Sequence, residues 1–303
     1  MLRFLQKPFA YAAVFSVMLA SVNTFVLLKT YVIPSVQGYV TELSDNSSET
    51  TDVVKGDPVI TDSSYADENI QMILTTVRYA DTDVYVADIT LSSAEYLKTA
   101  LASNTFGTNV TQKTSEMAAA HNAILAVNGD YYGASRQGYV IKNGVIYRDT
   151  ARKDTSYDDL VIYSDGSFGI VNESEVTAQQ LLDSGVVNLF AFGPALVQNG
   201  QIAVSQNQEV GRAMANNPRT AIGIVDDLHY IIVVSDGRTN QSQGLSLYQL
   251  AQVMQQYGCV TAYNLDGGGS STMVFNGEVV NNPTTNGNRI SERTVSDIVY
   301  IGY

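Results

Sequence analysis

Tryptophan is absent from this 303-residue chain, cysteine occurs once, histidine twice and proline six times. A single cysteine, Cys259, excludes an intrachain disulfide and a structural zinc site built from cysteines. It follows Tyr257-Gly258 and leads into an apolar stretch, where a thiol serves as a small core side chain. His121 and His229 form no spaced ligand pair and show no link in sequence to Cys259, so neither a histidine metal motif nor a thiol–imidazole nucleophile is indicated. No lysine follows the glycine-rich stretch as in a Walker loop, and no Gly-x-Ser-x-Gly elbow occurs. Charge is scarce at 16 % of residues, and positive charge is the scarcer sign, with 17 Lys and Arg against 30 Asp and Glu. Three of those cations, Arg3, Lys7 and Lys29, lie in the first 29 residues, which hold no acid; the remainder carries 14 against 30, a net charge of −16. Such a body gains nothing from nonspecific attraction to nucleic acid or anionic lipid. Any anionic ligand must be held by a local arginine cluster.

What is present in quantity is apolar surface, glycine and tyrosine: 45 % hydrophobic residues, 23 glycines and 19 tyrosines. That profile suits a strand-rich extracellular protein with a sizeable core. Phe9 through Leu28 is an uncharged run of 20 residues, long enough to cross a bilayer, and Arg3 and Lys7 before it place the N-terminus in the cytoplasm. A cleaved signal peptide competes with an anchor here. Ala20-Ser21-Val22 offers small residues, but the apolar run continues past them, which favours an uncleaved anchor. The domain expectation is a tail and membrane anchor over 1–30, a flexible Ser/Thr/Asp-rich stalk over 31–68 and a folded domain over 69–303.

Within that domain Ile70 to Tyr79 and Val84 to Leu91 read as a hairpin turned at Asp81-Thr82-Asp83. Ser93 to Ala102 and Ser115 to Asn122 read as short helices. Asn143-Gly144, Asp165-Gly166, Asn199-Gly200 and Asn276-Gly277 each read as a type I′ hairpin turn. Thr177 is a helix cap, and Ser246 with Gln249 forms a capping box ahead of a stripe at Leu247, Leu250, Ala251 and Met254. The expected class is α+β, with strand-rich mixed or antiparallel sheets, a few packing helices and one N-terminal transmembrane helix.

One stretch organises the rest: Asn264-Leu265-Asp266-Gly267-Gly268-Gly269-Ser270-Ser271-Thr272-Met273, set between the strand patterns Val260–Tyr263 and Met273–Phe275. A plain turn needs one or two glycines; three between an aspartate and a serine mark a place where no Cβ is tolerated. Backbone N–H groups in such a turn form an anion-binding concavity beside Asp266. Two further buried strands end in acid-bearing turns, at Asn128-Gly129-Asp130 and Asp236-Gly237-Arg238. Arg219 opens a strand, and Glu292-Arg293 precede the last one. Arginine is suited to bidentate capture of phosphate or carboxylate, and paired carboxylates are the usual means of glycoside cleavage.

These segments, together with Phe192-Gly193-Pro194-Ala195-Leu196 and Arg219-Thr220-Ala221-Ile222-Gly223, resemble in order and spacing the phosphodiester glycosidase family over roughly residues 70–303. The family's lysosomal member is the uncovering enzyme, and bacterial members are often labelled exopolysaccharide biosynthesis proteins. The resemblance implies an α+β fold and hydrolysis of a sugar-1-phosphodiester at the anomeric bond. It implies that Asn128, Asp130, Arg219, Asp236, Arg238, Asp266 and Glu292 line the site. Asp266, Asp236, Asp130 and Glu292 are then the catalytic candidates. Asn128, Arg219, Arg238, Gly267, Gly268, Gly269, Ser270, Ser271 and Arg293 are the substrate- or phosphate-binding ones. The reading has Arg219, Arg238 and the glycine-turn amides hold the phosphate, while Asp266 or Asp236 activates water or attacks the anomeric carbon. The substrate it suggests is a cell-wall or capsular polymer outside an anchored protein, with no nucleic acid partner. A non-catalytic module that binds anionic wall polymer is the competing reading. No cofactor is specified; this many acids leave a divalent cation open, with no ligand spacing to define one.

Overall fold

The computed structural model describes residues 9–40, 57–154, 156, 158–209, 216–285, 287 and 289–303. Two antiparallel sheets form the body. In the larger, of nine strands, the order is Gln201–Ile202, Ala195–Gln198, Thr261–Asn264, Arg219–Asp226, His229–Ser235, Thr82–Leu91, Ile70–Tyr79, Ser64–Ala66 and Val59–Thr61. In the smaller, of five, the order is Glu278–Val279, Met273–Phe275, Leu125–Asn128, Asp297–Ile301 and Leu97–Leu101.

The period-two alternation of strand side chains sets the layers. In His229–Ser235, Tyr230, Ile232 and Val234 join a core shared with Leu125, Val127, Val299 and Ile301 of the smaller sheet. Ile231 and Val233 point the other way, onto Leu247, Leu250, Ala251 and Met254 of the helix Leu247–Gln256. On the far side of the smaller sheet, Ala126, Ile298 and Tyr300 pack on Met117 and Ala118 of the helix Thr114–Ala120. The order is therefore helix, sheet, sheet, helix. Cys259 lies in the helix-side core, and burial pushes its thiol up to about 12. A third sheet, Phe168–Val171, Asp159–Tyr163 and Val186–Phe190, adds Leu160, Ile162 and Phe190 to the central core.

Three of the four expected type I′ turns have both central residues at positive φ, at Asn143-Gly144, Asn199-Gly200 and Asn276-Gly277. At Asp165-Gly166 only the glycine does, so that turn is of another type. The expected capping box of Ser246 with Gln249 forms, and the Thr177 cap is itself part of a second capping box, with Gln180. The first hairpin turns one residue or two earlier than expected, at Ala80 and Asp81. Ser93 to Ala102 is not a helix: one 3-10 turn, Ala94–Tyr96, leads into the strand Leu97–Leu101, which pairs with Asp297–Ile301. The ladder along that sheet edge outweighs the local helix preference of the stretch.

The N-terminal apolar run forms a single exposed helix, Ala10–Tyr31, long and apolar enough to cross a membrane. Beyond it, Ser35–Tyr39 pairs with Thr105–Thr108, and Val59–Thr61 and Ser64–Ala66 extend the large sheet. Regular pairing thus begins ahead of Asn69, inside the stretch expected to be a stalk. Residues 41–56 of that stretch lie outside the described residues.

Candidate active site

Antiparallel pairing brings the acid-bearing turns to one end of the sandwich. Ala221 pairs with Asn264 and Arg219 with Ser235, which places Arg219, Asp236 and Asp266 at the same edge of the large sheet. Val127 pairs with Met273 and Ile298 with Asn128, which brings Asp130, the glycine turn and residues 292–297 to the facing edge of the small sheet.

The three glycines face three arginines. A Cβ on Gly268, whose φ is +62°, would lie 2.7 Å from Arg238 Nη2. One on Gly269 would lie 2.8 Å from Arg293 Nη2 and 3.0 Å from its Cζ and Nε. One on Gly267 would lie 2.9 Å from the Pro218 carbonyl oxygen and 3.9 Å from Arg219 Cδ. Glycine at 268 and 269 is thus the condition for two guanidinium groups to lie against the turn's backbone, and at 267 for the close approach of the Pro218 carbonyl. Arg238 itself has φ +62°, a left-handed conformation that a bulky residue rarely adopts and that marks functional sites.

The arginines differ in what they already hold. Arg219 is 3 % exposed; its Nε donates to the Leu245 carbonyl at 2.9 Å and its Nη2 to Glu209 Oε2 at 2.6 Å. Arg238 donates to Asn217 Oδ1 at 3.0 Å and more weakly to the Thr284 carbonyl at 3.4 Å. Arg293 is exposed, and its Nη1 meets Ser270 Oγ at 3.4 Å. Among the described residues neither Arg238 nor Arg293 has a carboxylate within ion-pair distance. Burial, then repulsion from Arg293 and Arg219, lowers the Arg238 pKa, so the cluster holds uncompensated positive charge.

Beside it, Asp266 is 9 % exposed, with its Oδ1 accepting the Gly267 N–H at 2.8 Å. Burial pushes its carboxyl up to about 6 against the opposing pull of the Ser270 hydroxyl, Arg293 and the Gly267 N–H.

The remaining candidates stand behind this pair of features. Asp236 is filled on both oxygens: Asn282 N–H at 2.7 Å and Asn282 Nδ2 at 2.8 Å, with Tyr85 Oη at 3.3 Å and Asn281 Nδ2 at 3.5 Å. It ties down the loop opposite the arginines. Asp130 accepts the Tyr132 and Ala191 N–H groups at 3.0 and 2.9 Å. Asn128, fully buried, donates to the Asp266 carbonyl at 2.6 Å and accepts from Thr220 Oγ1 at 2.8 Å, bolting the turn to both sheets. The Ser271 and Thr272 hydroxyls and Asn264 Oδ1 are buried with no hydrogen-bond partner among the described residues. Glu292 is not brought into the site. Its two oxygens accept the Ser115 N–H at 3.1 Å and the Ser115 hydroxyl at 2.6 Å, capping the helix Thr114–Ala120.

Sequence reasoning missed Asp297 and Lys142. Asp297 is fully buried with its carboxylate against Gly129, where a Cβ would fall 2.5 Å from Cγ and both oxygens. Lys142 Nζ lies 2.8 Å from Asp297 and 3.8 Å from Asp130, over the Phe190 ring at 3.6 Å from its centroid. The available signals were a lone acid opening the apolar strand Asp297–Ile301 and a lone cation in Val140–Lys142. Among the described residues no group of three or more His, Cys, Asp and Glu gathers to hold a metal ion.

Two packed antiparallel sheets, with arginines laid on a glycine turn beside the buried Asp266 carboxylate, define an α+β protein with a candidate anion site. The chain belongs to the phosphodiester glycosidase family, whose model matches residues 121–302. It is 32 % identical over 204 residues to the SPbeta prophage-derived uncharacterized protein YomE of Bacillus subtilis (strain 168), covering 66 % of this chain and 31 % of that protein. It is 32 % identical over 175 residues to the Mus musculus N-acetylglucosamine-1-phosphodiester alpha-N-acetylglucosaminidase, covering 53 % of this chain and 33 % of the enzyme. The chain thus spans about a third of the length of these relatives. Its fold is shared with the zebrafish N-acetylglucosamine-1-phosphodiester alpha-N-acetylglucosaminidase catalytic domain, described as auto-inhibited by pro-peptide. That match has a TM-score of 0.61 and 18 % identity, covering 77 % of this chain and 83 % of that one.

Proposed function

We propose that the chain hydrolyses the anomeric bond of a sugar-1-phosphodiester in a cell-surface glycopolymer or exopolysaccharide, releasing a free sugar end and a phosphomonoester. The observation that carries this reading is the pair Arg238 and Arg293, two guanidinium groups without a carboxylate partner among the described residues, laid on the glycine turn, with the Arg293 charge acting on Asp266. The substrate in the mouse relative's name supplies the sugar-1-phosphodiester class.

Arg238 and Arg293 hold the phosphate from two sides and take up the charge that builds on it as the anomeric bond breaks. Arg219, buried and engaged by Glu209, supports the turn from behind and adds to the field. Asp266 is the working carboxylate: ionised, it attacks the anomeric carbon or takes a proton from the attacking water. Asp236 and Asp130 spend their oxygens on backbone and amide donors, so their part is to hold the loops around the site. Of the four carboxylate candidates, Asp266 is the one left for the chemistry. A phosphate stabilised by two arginines leaves without strong general-acid help, which makes a second carboxylate unnecessary. The helix Ala10–Tyr31 anchors the enzyme with this site outside the cytoplasm.

The test is incubation of the detergent-solubilised full chain with N-acetylglucosamine-1-phosphodiesters, reading reducing sugar and phosphomonoester together. Equal release of both supports the reading. Saturable binding without release turns it into a polymer-binding module.

A further inference from the structure

The anchoring helix and the candidate site meet at one end of the molecule. Val32, Ile33 and Pro34 alone separate the helix Ala10–Tyr31 from the strand Ser35–Tyr39, which pairs with Thr105–Thr108 of the folded body. Asn109, the next residue along, donates from Nδ2 to the Thr30 carbonyl at 3.2 Å and to the Ile33 carbonyl at 3.4 Å. The last turn of the helix is therefore bonded to the domain, with no free linker between them.

That contact falls at the site end of the sandwich. Leu101 pairs with Asp297, and the Ala102 N–H donates to the Ser296 carbonyl at 2.9 Å. The chain thus leaves the small sheet towards Thr105–Thr108 at the edge where Asp130 and residues 292–297 lie. The Asn109 N–H then donates to the Gly133 carbonyl at 3.2 Å, in the turn that follows Asp130. Lys113 pairs with Thr294, the neighbour of Arg293. The short chain path from Asn109 to Lys113, the pairing to Thr294 and one more peptide keep the two Cα atoms of Asn109 and Arg293 within about 25 Å. That span is shorter than the ~30 Å hydrocarbon core of a bilayer, so the arginines stand close to the headgroups and not at the end of a stalk.

The exposed side chains at this end match a bilayer surface. Tyr31 ends the helix, Tyr39 ends the strand after it, and Tyr131 follows Asp130; all three are exposed. So is Ile290, in the hairpin whose Thr284 carbonyl accepts from Arg238. Tyrosine is favoured where hydrocarbon gives way to headgroups. The scarce cations gather here too. Lys29, Lys113, Arg136, Arg289 and Arg293 stand exposed on these segments, although the body as a whole is acidic.

We propose that the helix holds the mouth of the arginine site against the bilayer it is anchored in, and that the substrate is a glycan joined through its sugar-1-phosphate to a membrane lipid. The inference rests on the hydrolysis proposed above and names the other ester of the phosphate. Net hydrolysis joins the oxygen of water to the anomeric carbon, and the bond from that carbon to the phosphate oxygen breaks with its electron pair on the phosphate. One proton of the water stays on the new sugar hydroxyl and the other leaves by way of Asp266. A reducing glycan end is set free, and a lipid phosphomonoester stays in the membrane.

The experiment uses the full chain reconstituted in phosphatidylcholine vesicles. Cys259 is buried, so a single introduced cysteine takes a fluorophore selectively. Tyr131→Cys and Ile290→Cys report on the site end. Asp227→Cys reports on the opposite end, about 25 Å along the strand Arg219–Asp226 from Arg219. Energy transfer to acceptor-labelled headgroups is higher from the first two than from the third; equal or reversed transfer overturns the proposal. For the substrate, the hexadecyl and methyl esters of N-acetylglucosamine-1-phosphate are compared, the first carried in the vesicles. A Gly/Ser insertion of about twelve residues between Ile33 and Pro34 frees the domain and lowers the effective concentration of a bilayer substrate. It is combined with Asn109→Gly, which removes the tie to the helix and keeps the positive φ of that position. The combined variant cleaves the methyl ester within about twofold of wild type and the hexadecyl ester at least about threefold more slowly. Equal effects on the two esters, or a wild type that cleaves only the methyl ester, overturn the lipid-linked substrate. A chain that cleaves neither ester fails the proposed activity, and energy transfer alone then decides whether the site faces the bilayer.

Discussion

Gly269→Ala is the perturbation that most sharply separates a catalytic turn from a structural one. Gly269 is not among the residues at positive φ, so alanine is accepted there without backbone strain. The three atoms nearest the added methyl are all of the Arg293 guanidinium, at 2.8 to 3.0 Å, and Arg293 is an exposed, flexible side chain that can swing away. The fold therefore yields cheaply, and the melting temperature stays within about 2 °C of wild type, the range of a change well under 1 kcal/mol in a domain of this size. The guanidinium, however, no longer lies on the turn. Loss of one charge-assisted contact to the phosphate costs about 1.5–3 kcal/mol, which is roughly a 10- to 150-fold fall in kcat/KM. Sugar release from a sugar-1-phosphodiester gives the rate and calorimetry the melting point. Arg293→Ala reproduces the loss, and the double variant is no worse than Arg293→Ala alone, since both changes remove one interaction. A Gly269→Ala enzyme within twofold of wild type, or a double variant with additive losses, would refute the placement of Arg293 on the phosphate.

Gly268→Ala differs in kind: its φ of +62° adds about 1–2 kcal/mol of backbone strain to the 2.7 Å collision with Arg238 Nη2. It loses turnover and also melts roughly 2–8 °C lower; an unchanged melting point contradicts the strain assigned to it. Glu292→Ala removes the cap on the helix Thr114–Ala120, costing about 1 kcal/mol of stability while leaving kcat at 25 °C near wild type, and a hundredfold fall in kcat would return Glu292 to the chemistry. The buried carboxyls Asp266 and Asp297 have folded-state pKa values raised to about 6 and about 7, above the unfolded value of 3.8. They bind protons more tightly when folded, so their contribution to stability is fully present below the unfolded value and is lost as pH rises through about 6 to 7. Melting curves between pH 5 and 8 check this, and Asp297→Asn flattens the slope; a slope unchanged in that variant argues against it. N-terminal sequencing of protein from cells tests the anchor: retention of the Ala10–Tyr31 helix is expected, and a mature chain beginning between Ser21 and Gln37 would show cleavage.

Much of the local structure was legible in the sequence because its causes are local. Type I′ turns follow from Asn-Gly pairs that accept positive φ, and the helix Leu247–Gln256 from a capping box and an apolar stripe. The strand-rich α+β class was legible for the same reason, and Asn264 to Met273 stood out because triple glycine beside aspartate has few uses. The membership of the site was less so. A motif shows that Asp236 and Glu292 belong near a recurring pattern, but not what their oxygens touch.

Those assignments depend on partners far along the chain, which only strand register brings together. Asp236 meets Asn282, Glu292 meets Ser115, and Lys142 meets Asp297 across 155 positions. The sequence determined that a carboxylate would sit beside a backbone concavity with arginines close by, because glycine content and residue type act through short-range sterics and charge. The tertiary structure decided what each carboxylate is bonded to, which arginines have no carboxylate partner among the described residues, and which glycines face a guanidinium. Those are properties of burial and pairing, and they exist only once the two sheets have closed on each other.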